Sequence, residues 1–296
     1  IRSEGASLHA SIGTMSGCLL NILLDPVFIL PWGLGMGAAG AGCATFLSNC
    51  FACGYFFVLL FLKRRSTYVS LSPRMVRFSR IIVVGVCMVG IPSSIQNLLN
   101  VTGMTVLNNF TSGFGADAVA AMGIAHKVNM VPMQVAMGFS QGIMPLISYN
   151  YGSGNAKRMK DVFFFAARIS LGMITVISAG YYLGAEGLVA LFMDNPAIVG
   201  YGSRFLQGMC LGLPFLCMDF MAVGVFQACG LGEKALVFAI LRKIVLEIPA
   251  LYLLNWVYPL YGLAYAQLAA EVVLATAAVV VLARLFRGLA KKTDTA

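Results

Sequence analysis

About eight stretches of this chain run for roughly twenty or more apolar residues between short polar turns, long enough to cross a bilayer core as helices. They cover 8–30, 35–62, 80–111, 117–149, 162–192, 197–228, 234–256 and 260–286. Composition points the same way. Hydrophobic residues make up 59% and charged residues 10%, with mean hydropathy +0.87, whereas about a quarter of a soluble domain is charged. The expected fold class is an all-α integral membrane protein of about eight transmembrane helices.

The net charge of +9 would suggest anionic partners in a soluble chain, but here it is distributed by connection. Lys63, Arg64, Arg65, Arg74, Arg77 and Arg80 fill the connection after the second span, and Lys157, Arg158 and Lys160 the one after the fourth. Lys234, Arg242 and Lys243 flank the connection after the sixth, while Arg284, Arg287, Lys291 and Lys292 close the chain and Arg2 opens it. The alternate connections, 31–34, 112–116, 193–196 and 257–259, hold no Lys or Arg. By the positive-inside rule both termini of the chain and the 63–79 loop are expected to be cytoplasmic, in a multi-pass protein of the plasma (inner) membrane. No aromatic platform is interleaved with the basic residues, so nucleic acid is not an expected partner.

Seven of the eight cysteines fall inside spans and Cys229 stands directly after one, and Cys50 and Cys53, though spaced C-x-x-C, lie on an apolar helix with no ligating His beside them. They read as small packing residues. His9 and His126 are isolated, and neither a metal-ligand spacing, a phosphate loop nor a nucleophile–base–acid set can be assembled. No catalytic residue, cofactor or resident metal is expected. The chain opens on Ile1 without a signal-peptide pattern and reads as starting inside a longer protein.

The run Leu24-Asp25-Pro26-Val27-Phe28-Ile29-Leu30 with Gly37-Ala38-Ala39-Gly40-Ala41 has a weak echo about 224 residues later, in Ile248-Pro249-Ala250-Leu251-Tyr252-Leu253-Leu254 with Gly262-Leu263-Ala264. An even number of helices separates the copies, which suits two lobes related by an axis along the membrane normal. On that reading 1–62 are the last two helices of an amino-terminal six-helix lobe, 63–79 the cytoplasmic linker and 80–296 a second six-helix lobe.

Asn21-Ile22-Leu23-Leu24-Asp25-Pro26-Val27-Phe28-Ile29 with Gly35-Met36-Gly37-Ala38-Ala39-Gly40-Ala41 resembles the fifth and sixth helices of the multidrug and toxic compound extrusion (MATE) transporters. Gly138-Phe139-Ser140-Gln141-Gly142-Ile143-Met144-Pro145-Leu146-Ile147-Ser148-Tyr149-Asn150-Tyr151-Gly152 resembles the eighth helix, and Phe226-Gln227-Ala228-Cys229-Gly230 the end of the tenth. The resemblance covers essentially the whole chain. It implies a twelve-helix, two-lobe antiporter, monomeric, that exports small organic and often cationic compounds in exchange for Na⁺ or H⁺.

Ionisable groups inside a membrane are costly and usually face a cavity or a partner. Asp25 stands one turn after Asn21 on the same face, and Pro26 removes a backbone donor beside it, leaving an oxygen-rich cluster that suits a hard cation. The same residues also fit a capped helix break. The resemblance matches Asn21, Asp25 and Thr45 to three members of an amino-lobe cation site. It also implies a second cation site in one branch of the family, where an acid stands at the position of Asn100 here and pairs with one near Asp219.

Glu247 and Glu271 fit either pairing with Arg242 or Lys243 or a place on the cavity wall. Gln96, Lys127, Gln134 and Met137 are further cavity candidates, since Met-rich walls repack around varied ligands. Ordinary amide bonding and Met packing account for the same residues. Two alternatives stand beside the exporter. A lipid-linked oligosaccharide flippase would need several cavity Arg or Lys, for which only Lys127, Arg204, Arg242 and Lys243 are candidates, and a membrane enzyme would need a catalytic constellation.

Overall fold

The computed structural model describes residues 6–31, 33–63 and 79–294, with backbone alone at 7, 89 and 289–294. Among the described residues ten α-helices and one π-helical segment follow one another: α1 (Ser7–Ile29), α2 (Gly37–Leu62), α3 (Arg80–Ser112), α4 (Ala116–Gly152), α5 (Ala156–Leu183) and α6 (Ala185–Ala190), then α7 (Pro196–Ala228), α8 (Gly232–Ile240), the π segment (Leu241–Glu247), α9 (Ile248–Val257) and α10 (Gly262–Asp294). They form two compact units, Ile1–Ser79 and Arg80–Ala296. The expected linker lies almost wholly outside the described residues, at 64–78.

Among the described residues seven helices are long and apolar enough to cross a membrane, one fewer than the sequence suggested. The difference is the span expected at 234–256. It is helical from Gly232 to Val257, but its hydrogen-bond register changes twice, so no piece reaches spanning length by itself. Ile248 donates to the Lys243 carbonyl, five residues back, as a π turn does. Pro249 follows immediately; it has no N–H to offer and its ring crowds the preceding turn. The span expected at 162–192 also differs: α5 begins at Ala156, capped by the Asn155 side chain accepting from the Arg158 amide, and Gly184 separates it from the short α6. The basic residues 157–160 that read as loop are its first turns.

In the first unit, α1 and α2 pack along small residues, as membrane helices do when dispersion must replace a hydrophobic driving force. Gly13, Gly17, Asn21 and Asp25 recur every four residues on α1. A Cβ on Gly17 would lie 2.9 Å from the Ala52 Cβ, and one on Gly40 would lie 2.4 Å from the Phe28 carbonyl oxygen. Gly40, Ala44 and Ser48 are the buried row of α2.

In the second unit α7 is the centre: 72% of its most apolar stretch is buried, against 33% or less in every other spanning helix. Phe205, Leu206, Leu213, Leu216, Met221 and Phe226 fill the space between α4, α5 and α10. Gly208 meets Ala264 and Gly212 meets Leu268, so α7 and α10 run parallel and close. The Ser140 hydroxyl donates to the Phe220 carbonyl at 2.7 Å, across the α4–α7 contact. On α3, Pro92 cannot donate to the Met88 carbonyl, and Gly232 at the start of α8 packs where a Cβ would lie 2.2 Å from that oxygen.

Candidate functional site

Two polar clusters lie inside the spans, one in each unit. On α1, Asn21 Nδ2 donates to Asp25 Oδ1 at 3.3 Å and to Thr45 Oγ1 of α2 at 3.5 Å. The Thr45 hydroxyl gives its own proton to the Ala41 carbonyl at 2.9 Å, which leaves its lone pairs toward Asn21. The four-residue row explains the meeting: the two glycines let α2 approach, and the next two members of the row are the amide and the carboxylate. Pro26 contributes as well, because it leaves the Ile22 carbonyl without its usual donor. Neither α1 nor α2 contains a Lys or Arg, so no side-chain cation within the hairpin pairs with Asp25. Several oxygens and one net negative charge suit a proton or a small hard cation.

The second cluster joins α3, α7, the π segment and α10. Arg242 Nη1 pairs with Asp219 Oδ2 at 3.2 Å, and Arg242 Nη2 donates to Asn100 Oδ1 at 2.8 Å. Its guanidinium carbon stands 5.4 Å from the Phe220 ring centroid. One residue on, Lys243 Nζ reaches both Glu247 oxygens, at 2.7 and 2.6 Å, while its stem packs against Gly103 of α3. Glu271 of α10 is 1% exposed, and its Oε2 has no hydrogen-bond partner.

Asn100 thus sits against a guanidinium, and Asp219 against the same one. Glu247 pairs with Lys243, and Glu271 with neither base. Arg242 and Lys243, counted in the charge pattern as flanking a connection, lie inside the helical stretch, as the span expected at 234–256 had them, and Arg242 is 4% exposed. Gln96 is half-buried one turn before Asn100. Lys127 and Gln134 share an open recess of about 490 Å³ on α4 with Met130, Val131 and Val135, and Met137 is exposed beyond it.

Sequence reasoning missed Arg242 as the hub of this cluster. The signal was present, since two adjacent bases in the middle of an apolar span just before a proline seldom mark a loop. It also missed Asn129 of α4, which is fully buried with both amide atoms unpartnered.

The MatE family model matches residues 92–253. The multidrug export proteins MepA of Staphylococcus saprophyticus and Staphylococcus aureus are 33% and 34% identical over 281 and 283 residues, each match covering 95% of this chain and 61% of the relative. The chain therefore spans about three-fifths of the length of these curated relatives. Among solved structures, a MATE in complex with MaD5 aligns at 28% identity and TM-score 0.84 over 95% of this chain and 62% of its own. An outward-facing multidrug resistance MATE family transporter of the MOP superfamily aligns at 26% and 0.85 with the same coverage. A MOP superfamily transporter from Pyrococcus furiosus, whose reversed pocket polarity is described as suggesting a different function, aligns at 26% and 0.83, over 94% of this chain and 62% of that one.

Proposed function

The chain belongs to the MATE family, and from that premise we propose that it works within an ion-coupled antiporter that exports small organic, often cationic, compounds by alternating access. Residues 1–62 are the last two helices of one lobe, 63–79 a cytoplasmic linker and 80–296 the other lobe. Both termini of the chain face the cytoplasm, and the transporter acts as a monomer in the plasma membrane. Support for the lobe repeat comes from the two hairpins that echo each other in sequence. In each, a glycine in the first turn of the second helix packs on a carbonyl of the first, Gly40 on Phe28 and Gly262 on Leu254.

The observation that carries the reading is the joined set Asn21, Asp25 and Thr45 in a hairpin that has no Lys or Arg. An empty carboxylate there is charged and poorly solvated, so binding Na⁺ or H⁺ changes its preferred surroundings and can bias the lobe between two arrangements. Asp25→Asn in the full-length protein, at matched expression, is expected to abolish ion-driven efflux of a fluorescent cation such as ethidium while the protein remains folded. Asn100→Asp is expected to do much less harm, since the new carboxylate meets Arg242. Near-normal efflux by Asp25→Asn would move the coupling site elsewhere. The flippase alternative loses support from the second cluster, because Arg242 and Lys243, two of the four bases it would need, are held in ion pairs.

A further inference from the structure

The second cluster contains more acid than base. Arg242 and Lys243 stand among Asp219, Glu247 and Glu271, and all three carboxylates act on the Arg242 charge. Both bases are already engaged: the terminal nitrogens of Arg242 by Asp219 and Asn100, Lys243 by Glu247. Glu271 is the acid left over. It is 1% exposed and its Oε2 has no hydrogen-bond partner. A bare carboxylate in that position would be a buried, uncompensated charge, which folded proteins avoid by neutralisation.

We propose that Glu271 is a proton-binding site, neutral in this arrangement, whose deprotonation draws Arg242 away from Asp219 and Asn100. With Glu271 protonated the cluster holds two cations and two anions and is balanced. Loss of the proton to water leaves one negative charge in excess, and the only guanidinium nitrogen still free, the buried Nε of Arg242, belongs to the cation best placed to answer it. The charged groups acting on Glu271 are Asp219 from α7 and Arg242, Lys243 and Glu247 from the π segment. Asn100 from α3 is uncharged, α9 contains no charged residue, and no α5 residue is among the charges acting on Glu271. A metal ion in the same place would need several converging ligands, and among the described residues no group of three or more His, Cys, Asp and Glu is placed to hold one. Because Arg242 ties α3 to α7, protonation on α10 would be felt at a third helix.

The experiment is infrared difference spectroscopy of the full-length protein in lipid across a pH step, which reads protonated carboxyl groups directly and needs no transport. A titrating carboxyl C=O band is expected that is lost in Glu271→Gln and retained in Asp25→Asn, whether or not Asp25 contributes a band of its own, so this site and the Asp25 coupling reading stand or fall separately. A set of titrating carboxyl bands that Glu271→Gln leaves unchanged, or no titrating band at all, would overturn the proposal. So would a band whose titration shifts with Na⁺ at constant ionic strength, which would assign the site to a metal cation. Should Glu271→Gln fail to insert, Glu271→Asp keeps the acid and is expected to shift the band; an unshifted band has the same overturning force.

Discussion

At the scale of single residues, Asp25 and Asp219, both on membrane-spanning helices, stand in different situations. Asp25 has an amide neighbour and no Lys or Arg in its hairpin, which is why we propose it as the residue that exchanges a small cation. Asp219 is locked against Arg242, with both side chains buried. Breaking a buried pair from one side leaves the other charge uncompensated, so Arg242→Met is expected to destabilise the full-length protein by about 3–5 kcal/mol. Arg242→Lys is expected to recover only part of this, because an ammonium lacks the planar fork that meets Asp219 and Asn100 together. Reversible unfolding of the purified protein measures both. A loss under about 1 kcal/mol for Arg242→Met would place the pair with exposed ion pairs of little net worth.

At the scale of elements, close approach at small residues decides where helices can sit. Gly224 of α7 lies against Ser140 of α4, where an added Cβ would come within 2.3 Å of the Ser140 hydroxyl oxygen. That oxygen is held in place by its bond to the Phe220 carbonyl and cannot swing aside without breaking it. Gly224→Ala is therefore expected to cost about 1–3 kcal/mol by overpacking. Ser140→Ala in the same protein should restore part of the loss, which a double-mutant cycle on thermal unfolding would show as a favourable coupling. Additive losses would mean that the two helices separate rather than clash.

At the scale of the whole molecule, the charge pattern and the proposed lobes lead to two expectations. A single cysteine at Ser153, in the exposed turn between α4 and α5, should resist an impermeant thiol reagent added to intact cells, while one at Asp194, in the exposed turn before α7, should react. The reverse pattern would invert the orientation. The isolated 296-residue chain, which spans about 61% of its curated relatives, is expected to give no ion-driven efflux in proteoliposomes where the full-length protein does. Efflux from the isolated chain would remove the argument for a cavity built between two lobes.

What the sequence by itself determined is whatever depends on neighbours along the chain. Spanning length and apolarity are sums over about twenty consecutive residues, and the row Gly13, Gly17, Asn21, Asp25 is a helical repeat, so the membrane class and the α1 half of the first cluster were legible at once. Thr45 entered only through the resemblance, because 24 residues and a turn separate it from Asn21. Only the tertiary structure decided the second cluster. Arg242 finds Asn100 across 142 residues and Asp219 across 23, and those meetings depend on how α3, α7 and the π segment are rotated about their axes. The π segment compounds this, since one residue of register change turns everything after it by about 100° relative to an unbroken α-helix. Glu271 could therefore be read from sequence as a partner for either base, and it is the packing of α10 on α7 and the π segment that leaves it the unpaired acid.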